Sequence, residues 1–121
     1  MSEKFAFIGL GAMGSPLALH LAKSGVDLTV YDVNPAAMTR ITDAGAKAAD
    51  SLAEAVSGRD VVITCLPASK EVRAVILGAG GVLEHVSEGT LIVDTSTVDP
   101  ETTDEVAAAA INLATDGFIM Y

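Results

Sequence analysis

A chain of 121 residues has room for one domain of ordinary size, and its 50% hydrophobic content is ample for a core. The net charge of −9 argues against nucleic acid or an anionic membrane surface as a partner, and despite a mean hydropathy of +0.47 no apolar run approaches the ~20 residues of a membrane span. The lone cysteine, Cys65, excludes an internal disulfide, and Met1-Ser2-Glu3-Lys4 lacks signal-peptide or transit-peptide character, so a cytoplasmic protein is expected.

Phe5-Ala6-Phe7-Ile8 is an apolar run that meets a glycine-spaced turn and then a helical pattern from Ser15 to Ser24. Gly9, Gly11 and Gly14 fit G-x-G-x-x-G, each with its own reason. Gly9 lets the backbone leave the strand, Gly11 lets a pyrophosphate approach the main chain, and Gly14 lets the helix lie close on the sheet. The phosphates would rest on free N–H groups at the helix N-terminus. Leu28-Thr29-Val30-Tyr31 is a second strand ending at Asp32, where an acidic residue is expected about 20 positions past the glycines. A carboxylate there accepts hydrogen bonds from ribose hydroxyls and repels a 2′-phosphate. Val33 and Asn34 follow where an NADP-binding protein often carries arginine, so NAD is the expected cofactor and NADP the less favoured one.

Asn34-Pro35 supplies an N-cap and an N1 proline for a helix to about Ala44, ended by Gly45. Lys47-Ala48-Ala49 reads as a small third strand. Ser51-Leu52-Ala53-Glu54 is a capping box opening a helix that stops near Gly58. Val61 to Leu66 is a fourth, buried strand closed by Pro67, and Ser69 is placed to cap a helix from Lys70 to Leu77. The glycines of Gly78-Ala79-Gly80-Gly81 read as a helix end and turn, not a second phosphate loop, because no apolar strand directly precedes them. Val82 to Val86 reads as one helical turn and Leu91-Ile92-Val93-Asp94 as a fifth strand. Asp99-Pro100 caps a helix through about Thr115, with Val106, Ala110, Ile111 and Ala114 facing the sheet, and Phe118 to Tyr121 opens a sixth strand. Strands alternating with helices predict an α/β fold of the Rossmann type, a doubly wound six-stranded parallel sheet in the order 3-2-1-4-5-6, with residues 1–121 as one dinucleotide-binding domain.

In such sheets ligands bind outside the carboxyl ends of the strands. Leu66-Pro67 there can line a cofactor or simply end a strand, and the hydroxyls of Ser96 and Thr97 can face a nicotinamide ribose or cap a helix entry. Lys70 lies at the same edge and is the only local candidate for a proton donor there, though a solvated residue in the first turn of a helix is expected. His20 reads as a helix-surface residue, His85 as an exposed turn residue and Cys65 as an inert core thiol. No spacing of His, Cys and carboxylates suggests a metal site.

Ile8 to Pro16 with Leu21-Ala22-Lys23-Ser24-Gly25, then Tyr31 to Pro35, Leu66-Pro67 and Asp94-Thr95-Ser96-Thr97-Val98-Asp99-Pro100, together resemble the amino-terminal half of the β-hydroxyacid dehydrogenase family, which includes 3-hydroxyisobutyrate dehydrogenase and tartronate semialdehyde reductase. The resemblance implies hydride transfer between NAD or NADP and a small 3-hydroxyacid. It implies that Gly9, Leu10, Gly11, Ala12, Met13 and Gly14 hold the pyrophosphate and that Asp32, leading into Val33 and Asn34, takes the adenosine ribose. Leu66 and Pro67 would line the middle of the cofactor, Thr97 its nicotinamide end, and Ser96 would lie beside the substrate pocket. The family continues into a substrate loop, a helix with the catalytic lysine and a helical second domain, none matched here, so no catalytic residue is assigned. The chain alone is expected to bind NAD and turn nothing over. The rival readings are a stand-alone nucleotide-binding or regulatory module and an NADP-dependent semialdehyde reductase or 6-phosphogluconate-type dehydrogenase. An open strand edge near Phe118 to Tyr121 makes self-association into a homo-oligomer a further expectation.

Overall fold

A computed structural model of the chain describes residues 3–86, 89–96, 99–112 and 117–120. Its strands are β1 (Lys4–Ile8), β2 (Asp27–Tyr31), β3 (Lys47–Ala48), β4 (Val61–Thr64), β5 (Leu91–Asp94) and β6 (Gly117–Met120), all paired in parallel in the order β3-β2-β1-β4-β5-β6. The helices between them are α1 (Gly14–Lys23), α2 (Ala36–Thr42), α3 (Leu52–Val56), α4 (Ser69–Val72), α5 (Val82–His85) and α6 (Pro100–Asn112). Successive strand side chains point to opposite faces, so β1 sends Ala6 and Ile8 one way and Phe7 the other. On one face Ala6, Ile8, Val62 and Ile92 pack against Val56, Val72, Val82 and Val106 of four helices. On the other, Phe7, Leu28 and Val30 pack against Ala18 and Ala22 of α1 and Met38 and Ile41 of α2. Strands buried on both faces explain the continuous apolar runs.

The helix starts follow local chemistry. Asn34 Oδ1 accepts from the Ala36 amide at 3.2 Å, and Ser51 Oγ accepts from the Glu54 amide at 3.1 Å. The reciprocal half of the capping box is displaced by one residue, because Glu54 Oε2 takes the Asp50 amide at 3.2 Å. Asp99 Oδ1 accepts from the Thr102 amide at 2.8 Å, and this bond, with the Ser69 hydroxyl beside it, holds the Asp99 carboxyl at about 2, below its ordinary 3.8. A depressed folded value means that the cap contributes stability fully above the ordinary value and loses it as the pH falls through the folded one. In urea titrations, the stability difference between wild type and Asp99→Asn should therefore stay constant above about pH 5 and shrink as the pH is lowered towards 2. A difference unchanged across that range would show that the charge of Asp99 does not cap α6.

Four expectations are corrected. Ser69 is the first residue of α4 and does not cap it; its Oγ accepts from the Asp99 amide at 3.0 Å, tying the start of α4 to the start of α6. The expected helix from Lys70 to Leu77 divides into α4 and a π-helical segment, Arg73–Leu77, where the Gly78 amide reaches back five residues to the Arg73 carbonyl at 3.1 Å. β4 ends at Thr64 and not at Leu66, because the Leu66 amide turns to Ser96 Oγ at 2.6 Å. His85 is half-buried at the end of α5 and not exposed, whereas His20 is exposed on α1 as expected. Helix α6 runs to Asn112; Thr115, Thr97 and Tyr121 lie outside the described residues, as do the side chains of Ala110 and Ile111. Among the described residues no helix is long and apolar enough to cross a membrane.

Candidate functional site

The strand order brings the loops after β1, β2, β4 and β5 to one edge, where they enclose a cavity of about 480 Å³. The glycine turn forms its floor. Gly9 has φ +98°, a conformation that side chains disfavour, and a Cβ there would strike the Cys65 carbonyl oxygen. Gly14 is closed in as well, since its Cβ would strike the Gly9 carbonyl oxygen; the close approach is to the turn itself and only secondarily to the sheet, through Cys65. Gly11 differs, because a Cβ built on it meets nothing within 4 Å and it borders the open cavity. Space rather than strain is what glycine provides at that position.

Asp32 stands beside this turn with both carboxylate oxygens already held. The Leu10 amide donates to Oδ2 at 2.7 Å and the Asn34 amide to Oδ1 at 2.8 Å. Charge-assisted bonds of this kind fix the carboxylate's orientation while each oxygen keeps a lone pair for a further donor. Gly9, Gly11, Ala12, Met13, Gly14, Asp32, Val33, Leu66, Pro67 and Ser96 all border the cavity. Leu10 and Asn34 do not; Leu10 is buried in the core and its amide serves Asp32, and Asn34 contributes its amide to Asp32 and its side chain to α2. Among the described residues the Ala12 and Met13 amides have no backbone or side-chain acceptor, as the orphan donors of a helix start.

Beneath the far end lies a buried polar network. Asp94, 0% exposed at the tip of β5, accepts from the Thr64 hydroxyl at 2.9 Å and the Ser96 amide at 3.0 Å through Oδ1. The Ser96 hydroxyl in turn receives the Leu66 amide, and Thr95 donates both its amide and its hydroxyl to the Thr64 carbonyl at 2.8 and 2.9 Å. These bonds join the ends of β4 and β5, so Ser96 is an interior strut that also borders the cavity. Lys70 is exposed and does not border it.

The sequence did not single out Tyr31, Leu52, Glu71 or Val75, which border the cavity, and it placed Cys65 in the core alone, whereas this buried residue also borders the cavity. The helical spacing of Glu71 and Val75, one turn apart at the ligand edge, is a signal that could have found them. Among the described residues no cluster of His, Cys, Asp and Glu is arranged to hold a metal ion.

Residues 4–117 match the family described as the NAD binding domain of 6-phosphogluconate dehydrogenase. The chain is 45% identical over 90% of its length to a Dictyostelium discoideum protein named "Probable 3-hydroxyisobutyrate dehydrogenase, mitochondrial", of which it covers 34%. It is 44% identical over 89% of its length to an NAD-dependent L-serine dehydrogenase of Pseudomonas aeruginosa, of which it covers 36%. Among solved structures, Mycobacterium tuberculosis 3-hydroxyisobutyrate dehydrogenase with L-serine superposes with a TM-score of 0.85 and 33% identity, covering 99% of this chain and 39% of that one. The chain thus spans about a third of the length of the curated relatives it matches.

Proposed function

Because the chain belongs to the β-hydroxyacid dehydrogenase family, through the NAD binding domain shared with 6-phosphogluconate dehydrogenase, we propose that it is the NAD-preferring cofactor domain of an oxidoreductase acting on a small 3-hydroxyacid. The observation that carries this reading is Asp32, pinned by two backbone amides at the tip of β2 beside the open face of Gly11. The turn fits a dinucleotide: unfilled space at Gly11 and undonated amides at Ala12 and Met13 suit a diphosphate, and Asp32 suits the diol of the adenosine ribose. Leu66 and Pro67 would flank the middle of the cofactor, and Thr97 and Ser96 the nicotinamide and substrate end. When bound, the nicotinamide supplies or accepts the hydride. The six-stranded sheet would then serve as the dinucleotide-binding domain.

Hydride transfer to a carbonyl also needs a proton donor within hydrogen-bond reach and the exclusion of water. Among the described residues no lysine or histidine borders the cavity, so these residues bind cofactor and leave substrate chemistry to other parts of the family's architecture. Calorimetry with the 121-residue chain should find NAD bound at least about tenfold more tightly than NADP, since the 2′-phosphate would meet the Asp32 carboxylate. Asp32→Asn, which preserves shape, should bring the two affinities close together. Equal affinities in the wild type would overturn the NAD preference, and rapid turnover of 3-hydroxyisobutyrate by this chain would overturn its non-catalytic role.

A further inference from the structure

Beyond the ribose position at Asp32, the cavity extends over one face of the sheet into an apolar recess. Tyr31, Leu52, Leu66 and Val75 border it, and all four are partly buried against the same core cluster. They come from the end of β2, the start of α3, the loop after β4 and the π-helical segment, so only the folded sheet brings them together. One further ionisable side chain is found on this side of the cavity. Glu71 lies one helical turn before Val75, and it borders the same cavity. Its Oε2 is withdrawn from solvent and has no hydrogen-bond partner among the described residues.

Buried acceptors are rarely left without a donor, because desolvation is costly when no hydrogen bond replaces the water. Asp94 Oδ2 at the tip of β5 also lacks a donor among the described residues, but Asp94 is wholly buried in the joint between β4 and β5, whereas Glu71 borders the open cavity. The terminal torsion of glutamate is broad, so a small rotation can turn either oxygen towards a ligand in the recess. A purine fits such a space: its faces are apolar enough to lie against Leu52, Leu66 and Val75, and its edge carries the polar groups. In adenine bound to a sugar, the exocyclic 6-amine is the base's sole N–H donor.

We propose that Glu71 is a specificity residue that reads the base of the dinucleotide, accepting a hydrogen bond from the adenine 6-amine. The inference rests on the cofactor reading above and adds the base to it. A site built around an acceptor at the 6-position discriminates against an analogue that presents an oxygen there, because two acceptors then face each other and the analogue's N1–H lies along the adjacent edge, out of line with the 6-position.

The test compares NAD with nicotinamide hypoxanthine dinucleotide, in which the 6-amine is replaced by oxygen, by calorimetry on the 121-residue chain. The wild type should bind NAD about tenfold or more tightly, the worth of one hydrogen bond to a charged group. Glu71→Gln, nearly identical in shape and able to donate to the 6-oxygen, should bring the ratio to about one or reverse it. Equal binding of the two dinucleotides by the wild type overturns the proposal without any variant. A wild-type preference that survives unchanged in Glu71→Gln also overturns it, while leaving the cofactor reading intact, because a merely structural role weakens both ligands together. Failure of the wild type to bind either dinucleotide overturns the cofactor reading, and this proposal with it.

Discussion

Gly9→Ala should destabilise the domain by about 4 kcal/mol, a large share of the roughly 5–15 kcal/mol that holds a domain of this size together. Two penalties combine. A non-glycine residue at φ +98° is strained by ~1–3 kcal/mol, and its methyl group would strike the Cys65 carbonyl, adding about the same again for overpacking. Neither backbone can retreat cheaply, because the Gly9 amide is bonded to the Tyr31 carbonyl at 3.1 Å and the Cys65 amide to the Ile8 carbonyl at 2.9 Å. Gly14→Ala should be severe for the second of these reasons, its methyl group meeting the Gly9 carbonyl. Gly11→Ala is the informative contrast. Its methyl group meets no protein atom, so its unfolding free energy in urea should stay within about 0.5 kcal/mol of wild type, while NAD affinity falls by an order of magnitude or more because the methyl takes space a diphosphate needs. A Gly11→Ala protein with undiminished affinity would remove the turn from the binding site, and a Gly9→Ala protein of wild-type stability would refute the account of the strained turn.

Asp94→Ala should cost about 3 kcal/mol. The carboxylate is wholly buried, and its removal strands the Thr64 hydroxyl and the Ser96 amide, each worth about 1–3 kcal/mol when left unpaired, with a cavity besides. Asp94→Asn should cost less, since its amide oxygen can still accept from either donor. The loss should be local before it is global. Leu66 donates to the Ser96 hydroxyl at 2.6 Å, so hydrogen exchange at the Leu66 amide should quicken in Asp94→Asn more than at Phe7, in the middle of β1. A change under about 0.5 kcal/mol in Asp94→Ala would show that the joint between β4 and β5 is held by the Thr95 bonds alone.

Much of this architecture was readable residue by residue. The N-caps at Ser51 and Asp99 each act within three positions, and the glycines read as helix ends, Gly45 and Gly58, both take positive φ. Such signals are local, since a capping hydroxyl and a left-handed turn are satisfied by neighbours in sequence. Ser69 shows where that logic stops. Its type and position fit a cap on its own helix, yet its hydroxyl serves Asp99, thirty residues on, because folding brings that amide against it.

The apolar runs, the helix boundaries to within a few residues, the glycine spacing and the acid at the end of the second strand were therefore properties of the amino-acid order itself, because each depends on a period or a turn only a few residues long. The convergence of Cys65, Leu52, Glu71 and Val75 on one cavity, the use of the Leu10 amide to pin Asp32, and the Asp94 joint beneath Ser96 belong to the tertiary structure. They depend on which strands lie side by side, and that choice is made by burying two apolar faces at once rather than by any short stretch of the chain.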